Sequence, residues 1–324
     1  MTAALRLPPP LEPIRPEMAQ VTRLLQEMAK KIEEPLGARL HSILGGGKLL
    51  RPALVILVGQ TFTAPREPLH DLAAAVEILH TATLIHDDLV DEAPIRRGRE
   101  TLHMSWPAGA TVLAGDYLLA QSAALVAGLE RPILLNVFAE TLCTMCTGEI
   151  RQMFAASEEQ LSREMYYLRI EAKTASLCAA ATEMAAILAE AEEPLVAAVR
   201  RFGWELGVGF QIMDDVLDFT GDEARLGKPA GSDLRQRLVT LPTLLYLEQT
   251  DSDVVVRTVL SGRGDEEHVQ AAIEAVCGSG AIEDALAMAQ AHIGQAQQAL
   301  SQLPDNVPRR TLHSLAQYVV ERKR

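Results

Sequence analysis

Residues 80–98 read HTATLIHDDLVDEAPIRRG and set three aspartates and two adjacent arginines at the end of an apolar, helix-patterned run. A second stretch at 209–219, GFQIMDDVLDF, returns the same Asp-Asp-x-x-Asp spacing behind another apolar run. Positions i, i+1 and i+4 of an α-helix share one broad face, so Asp87 and Asp91 stack one turn apart with Asp88 beside them. Asp214, Asp215 and Asp218 repeat that pattern. Carboxylates this close cannot all stay ionised without a countercharge. Hard divalent cations supply one, because Mg²⁺ takes oxygen ligands and shares them with substrate phosphates. A solvated acidic helix end would explain one copy of the motif. Two copies, each directly behind an apolar helical run, favour metal binding.

The rest of the chain agrees with a helical setting. Of 324 residues 48% are hydrophobic and only 4% aromatic, with Ala, Leu, Met and Glu abundant, a helix-forming mixture. The reading is all-α. A net charge of −13 argues against a nucleic-acid partner, yet local cations and bound metal can still create a site for an anionic substrate. No secretory signal is read in MTAALRLPPPLEPIRP, and no apolar stretch is read as a membrane span, so the expected location is cytoplasmic. Cys143 and Cys146 form a C-x-x-C, but no strand of a βαβ unit precedes it. They are expected as reduced thiols packed on a buried helix face.

The Pro-rich residues 1–16 read as an extended arm, and 17–324 as a single all-helical domain. Helical periodicity is expected over 17–33, 37–62, 68–91, 109–128, 131–155, 158–190 and 194–220. Five shorter helices follow the break at GDEARLGKPAGSD, at 238–249, 251–261, 266–277, 280–303 and 308–322.

Basic residues name the ligand that a metal alone would not. GGGKLLRP at 45–52 carries Lys48 and Arg51, Arg96 and Arg97 follow the first acidic motif, EAKTAS carries Lys173 and Thr174, and GKPAGSDL carries Lys228. Spread along the chain beside two acidic motifs, they suggest one diphosphate held through metal and a second held by cations directly.

With GGGKLLRP, HTATLIHDDLVDEAPIRRG, KTA, GFQIMDDVLDF and GKPAGSDL in this order, the chain resembles the trans-isoprenyl diphosphate synthases of the polyprenyl synthetase family, of the medium- to long-chain kind. The resemblance spans nearly the whole chain. It implies an isoprenoid-synthase-type helical bundle around a deep central cavity, a homodimer, and three Mg²⁺ per active site with substrate bound. It assigns Asp87, Asp88, Asp91, Asp214, Asp215 and Asp218 to the metal, with Lys173 and the first five of these aspartates as the catalytic set. It places Arg96, Lys173, Thr174, Gln211 and Lys228 at the allylic diphosphate, and Lys48, Arg51, His80 and Arg97 at isopentenyl diphosphate. The implied activity is condensation of the two into an all-trans polyprenyl diphosphate for a quinone side chain, with peripheral membrane contact at product release.

Ala82 and Thr83 lie about one turn before Asp87, where short-chain relatives place an aromatic residue; both are small, and the first motif has no insertion. The floor of the cavity is therefore expected to be open, with Leu135, Phe138 or Met145 as candidates for a deeper stop. Two departures from the family pattern stand out: Leu49 where a basic residue is frequent, and Leu238, beside Arg237, where a cation is common. The alternatives are a short-chain farnesyl or geranylgeranyl diphosphate synthase, a subunit of a two-component synthase, and a terpene cyclase. A regulatory subunit would be expected to lose acidic positions, and a cyclase needs only one diphosphate site.

Overall fold

The computed structural model describes residues 7–44, 49–96, 98–155, 161–221, 230–250 and 253–322. Apart from connecting turns and one hairpin of two-residue strands, they are helical. The helices are α1 (Arg15–Lys30), α2 (Leu36–Ile43), α3 (Leu50–Thr61), α4 (Arg66–Val90), α5 (Leu102–Ser105), α6 (Ala108–Gly128), α7 (Pro132–Phe154) and α8 (Arg163–Ile170). A π-helical turn, Glu171–Ala175, leads into α9 (Ser176–Leu188) and then α10 (Glu193–Thr220). Last come α11 (Ser232–Arg235), α12 (Leu241–Gln249), α13 (Val254–Leu260), α14 (Glu266–Gly278), α15 (Ala281–Leu300) and α16 (Val307–Glu321). Strands β1 (Ile95–Arg96) and β2 (Arg99–Glu100) pair antiparallel, with Arg96 opposite Arg99 and Gly98 at φ 73 in the turn.

Several expectations change. Pro9–Ile14 form a 3-10 helix rather than an extended arm, because Leu11 and Ile14, three apart, reach one side and are buried. The helix expected over 37–62 is two helices: α2 ends at Ile43, and Leu49, left-handed at φ 48, precedes α3. Glycine is the poorest helix former after proline, and three occur in succession in this stretch. Cys143 and Cys146 are free thiols but exposed, not core, because α7 is apolar on more faces than it buries. By length and composition alone α6 and α7 reach the size of a membrane span, which the sequence reading did not expect, with 33% and 22% of their apolar windows buried.

The chain divides into two compact units. The first, Met1–Leu142 with Leu177–Gly203 and Ala299–Leu315, is built on α4, which packs mainly on α6, α3 and α1. Leu69, Leu72, Ala75, Val76, Ile78, Leu79, Ala82 and Ile85 of α4 are buried. Ser122 Oγ donates to the Ala75 carbonyl at 2.7 Å, and His86, next to the first acidic motif, contacts the Val112 carbonyl through Nε2 at 3.1 Å. Gly115 makes that approach possible, since a Cβ there would lie 2.1 Å from His86 Nε2.

The second unit is Cys143–Ser176 with Trp204–Gln298 and Ala316–Arg324. Here the π turn lies against the part of α10 that precedes the second acidic motif. Gly207 allows the approach, as a Cβ there would meet Ala175 Cα at 2.6 Å.

Gly115→Ala should destabilise the protein by about 1–2 kcal/mol, because overpacking at the α4–α6 seam outweighs the helix propensity gained. Gly109→Ala in the first turn of α6, where a Cβ meets nothing within 4 Å, should be neutral or slightly stabilising. Chemical denaturation of both variants is the check, and equal destabilisation would contradict the packing account.

Candidate active site

The first acidic motif closes α4. Asp91 is its C-cap, and the Asp91 N–H donates to the Asp87 carbonyl at 2.8 Å. A helix C-terminus is the unfavourable end for carboxylates, so a cation nearby is needed. The hairpin supplies it: Arg96 Nε donates to Asp88 Oδ1. Burial pushes the Asp88 carboxyl up, and the Arg96 hydrogen bond opposes the shift. Asp87 is half-buried and Asp91 exposed. One turn earlier, Thr83 is half-buried with its hydroxyl bonded to the His80 carbonyl at 2.9 Å, whereas Ala82 is fully buried.

Arg51 sits on the first turn of α3, and its Nη1 lies 3.1 Å from His80 Nε2. Its Nε is buried with no hydrogen-bond partner among the described residues. A buried guanidinium N–H without an acceptor is costly. It marks a place suited to an anion. Lys48, Arg97 and Lys228, assigned by resemblance to the two diphosphates, lie outside the described residues.

The second motif lies inside α10, and its support is different in kind. Asp215 is 2% exposed; Tyr166 Oη donates to its Oδ2 at 2.7 Å and Gln211 Nε2 to its Oδ1 at 3.0 Å. Thr174 Oγ1 donates to Gln211 Oε1 at 3.0 Å, which continues the chain of donors into the π turn. Burial, with Asp233 nearby, pushes the Asp215 carboxyl up to about 7, against the Gln211 and Tyr166 hydrogen bonds. Asp218 accepts the Asp233 backbone N–H at 3.0 Å, which ties it to α11. Asp214 accepts from Arg322 Nη2 at 2.6 Å. Lys173, on the π turn, pairs with Glu149 at 3.0 Å.

Four of the six aspartates are therefore shown held by protein donors, and Asp87 carries a further interaction of its own. No three or more His, Cys, Asp or Glu side chains among the described residues gather closely enough to hold a metal by themselves. That donor set still fits Mg²⁺, which is held by one or two carboxylates and completes its shell with water and substrate phosphate oxygens. A dication beside Asp215 would also favour the ionised form that burial disfavours.

Tyr166, Glu149 and Arg322 were not singled out in the sequence. The first lies in an ordinary amphipathic run, MYYLRI, and the last in a basic terminus that reads as solvated. Tyr166 also lines a cavity of about 430 Å³ in the second unit, with Arg151, Arg169, Arg237 and Leu238. The Arg237 cation thus borders the same space as Leu238, the position that departs from the family pattern. Of the proposed deeper stops, Phe138 and Met145 are buried, and Leu135 is 38% exposed.

Comparison with known proteins places this geometry. The polyprenyl synthetase family model matches residues 33–276. Component 2 of heptaprenyl diphosphate synthase from Geobacillus stearothermophilus is 39% identical over 94% of this chain and 96% of its own. The geranyl-diphosphate-specific all-trans-nonaprenyl-diphosphate synthase of Rhodobacter capsulatus is 35% identical, over 96% and 97%. Among solved structures, the polyprenyl synthase of Caulobacter crescentus CB15, complexed with calcium and isoprenyl diphosphate, superposes with a TM-score of 0.91 at 33% identity, covering 97% of each chain. The fold is that of the isoprenoid synthases, and the chain belongs to the polyprenyl synthetase family as an enzyme of the trans-isoprenyl diphosphate synthase class.

Proposed function

We propose that this enzyme condenses isopentenyl diphosphate with an allylic diphosphate, repeatedly, to make a medium- or long-chain all-trans polyprenyl diphosphate, the kind used as a quinone side chain. The observation that carries the two-substrate reading is Arg51: a guanidinium partnered by His80, with a buried Nε that lacks an acceptor. A terpene cyclase has no use for a second diphosphate site. Heptaprenyl and nonaprenyl synthases among the relatives support the chain length.

In this reading Asp87, Asp88, Asp91, Asp214, Asp215 and Asp218 face Mg²⁺, and the protein donors on Asp88, Asp214, Asp215 and Asp218 hold the motifs in shape. Bound Mg²⁺ would supply charge that makes the allylic diphosphate a better leaving group. Lys173, Thr174, Gln211, Arg96 and Lys228 hold or flank that diphosphate. Arg51, His80, Lys48 and Arg97 pin the isopentenyl diphosphate so that its double bond faces the allylic carbon. The allylic C–O bond breaks, the new C–C bond forms, and the departing diphosphate takes the proton lost. The contribution of these residues is orientation and charge placement.

Thr83, accessible where Ala82 is closed off, marks the level at which the growing hydrocarbon passes. We assign the exposed apolar residues Leu113, Ile133 and Leu135 to a homodimer interface. A second reading follows from the first relative described, a component of a two-part synthase: this chain would then be the catalytic part and need a partner. Activity of the purified chain alone separates the two. A cytoplasmic location, with peripheral membrane contact at product release, completes the proposal.

Asp87→Ala and Asp214→Ala should each lower kcat by about 10³-fold or more, roughly 4 kcal/mol, with the circular dichroism spectrum unchanged. Chelation of divalent ions should abolish turnover. Near-parental rates in either variant would remove that aspartate from the metal site.

Arg51→Ala should raise the KM for isopentenyl diphosphate by about 10- to 150-fold, the range for losing one charge-assisted hydrogen bond, and leave the allylic KM nearly unchanged. Steady-state kinetics with each substrate varied in turn decides it. A rise confined to the allylic KM would exchange the two sites.

Thr83→Phe puts a ring about one helical turn, roughly 5.4 Å, below Asp87. The variant should keep the first condensation and release shorter products, at about fifteen to twenty carbons, because packed interiors resist overpacking. Chromatography of dephosphorylated products is the assay, and an unchanged distribution would show that the hydrocarbon does not pass Thr83.

A further inference from the structure

The last turn of α16 ends on the second acidic motif. Arg322 continues the helix, its backbone N–H donating to the Tyr318 carbonyl at 3.0 Å, and its side chain is only 4% exposed. A buried guanidinium has lost its hydration, so this placement needs strong partners. Arg322 has them along one face of α10. Its guanidinium lies over the Phe210 ring, 4.2 Å from the centroid. Nη2 donates to the Phe210 carbonyl at 3.2 Å and to Asp214 Oδ1 at 2.6 Å. Phe210 and Asp214 are one turn apart, so a single side chain spans from the ring to the first carboxylate of the motif.

The burial is asymmetric. Arg322 is closed in, while the Asp214 side chain is 24% exposed. The cation is therefore the more deeply buried partner of the pair. A guanidinium does not lose its proton in proteins, and its planar fork fixes the orientation of the group it binds. Carboxylates that bind metals are commonly held this way by an outer hydrogen bond, and removing such a partner typically costs about 10- to 100-fold in metal affinity or activity.

We propose that Arg322 is a positioning residue for the metal site: it touches neither metal nor substrate, but it orients Asp214 so that the second motif binds a divalent cation tightly. The C-terminal turn is thereby part of the metal site. This rests on the reading of Asp214 as a metal ligand.

The test is equilibrium Mn²⁺ binding, followed by electron paramagnetic resonance of free Mn²⁺, in the presence of geranyl thiodiphosphate as an inert allylic diphosphate. The parent is compared with Arg322→Ala, Arg322→Lys, a chain ending at Glu321, and Asp214→Ala. Arg322→Ala and the shortened chain should bind Mn²⁺ about 10- to 100-fold more weakly. Their turnover should recover as Mn²⁺ is raised, with the KM for isopentenyl diphosphate unchanged. Arg322→Lys, which keeps the charge without the fork, should fall between them and the parent. A purely structural role would lower the melting temperature and leave Mn²⁺ affinity of the folded protein unmoved.

Unchanged Mn²⁺ affinity in Arg322→Ala, with loss in Asp214→Ala, overturns the proposal and leaves the metal reading standing. Tighter binding, or a rise confined to the isopentenyl diphosphate KM, also overturns it. Unchanged affinity in Asp214→Ala overturns the metal reading itself. Should the alanine and shortened forms fail to fold, Arg322→Lys decides alone: several-fold weaker binding supports the role, and parental binding refutes it.

Discussion

Like charges on neighbouring helical turns have to be kept ionised and separately oriented, and most of the candidate site follows from that requirement. Each motif places three carboxylates on one helix face. Left to themselves, some would take up protons or turn away into solvent. The structure answers with donors drawn from separate segments: Arg96 from the hairpin, Tyr166 from α8, Gln211 one turn earlier on α10, the Asp233 N–H from α11, and Arg322 beyond α16. Two of these donors, Arg96 and Arg322, also bring positive charge, while the others orient the carboxylates without neutralising them. In the proposed reaction a divalent ion would add a bridge to a polyanionic substrate that these carboxylates would otherwise repel.

The helical framework is arranged to bring those donors in. On α4, small residues and Gly115 of α6 let the two helices approach until His86 touches the opposing backbone, which fixes the end of α4 where the first motif lies. The π turn at Glu171–Ala175 does a related job in the second unit. One extra residue in a helical turn re-aims the side chains on it, and such turns are frequent at functional sites. Thr174 reaches Gln211, and through it the Asp215 carboxylate, while Lys173 pairs with Glu149.

Much of this was legible in the sequence. The limits expected for α4 and α10, 68–91 and 194–220, fall within two residues of Arg66–Val90 and Glu193–Thr220, because long amphipathic runs leave little doubt about period. The all-α class and the family followed from the motifs and their order. Other features were hidden for physical reasons. Nothing in EAKTAS distinguishes a π turn from an α-helix, since both present the same residue types. Apolar content read as burial failed at Cys143 and Cys146, because α7 presents more apolar surface than this chain covers. Arg322 was missed because its partner lies 108 residues away, and a terminal basic run gives no local sign of burial.

The two acidic motifs share a spacing but not an electrostatic setting. The first ends its helix, where the backbone dipole opposes negative charge by about 0.3–1 kcal/mol per group, and it is balanced by a partly exposed cation, Arg96. The second lies within α10, which runs on to Thr220, and its central carboxylate is buried among neutral donors, Tyr166 and Gln211. Neutral donors orient a carboxylate without cancelling its charge. Burial accordingly pushes the Asp215 carboxyl up to about 7, whereas for Asp88 the Arg96 guanidinium offsets part of the cost of burial. Each motif therefore has a resident cation, Arg96 on Asp88 and Arg322 on Asp214, but the deeply buried carboxylate of the second, Asp215, is left to neutral donors. The same five-residue pattern thus stands in two unequal electrostatic settings, set by what packs against each helix.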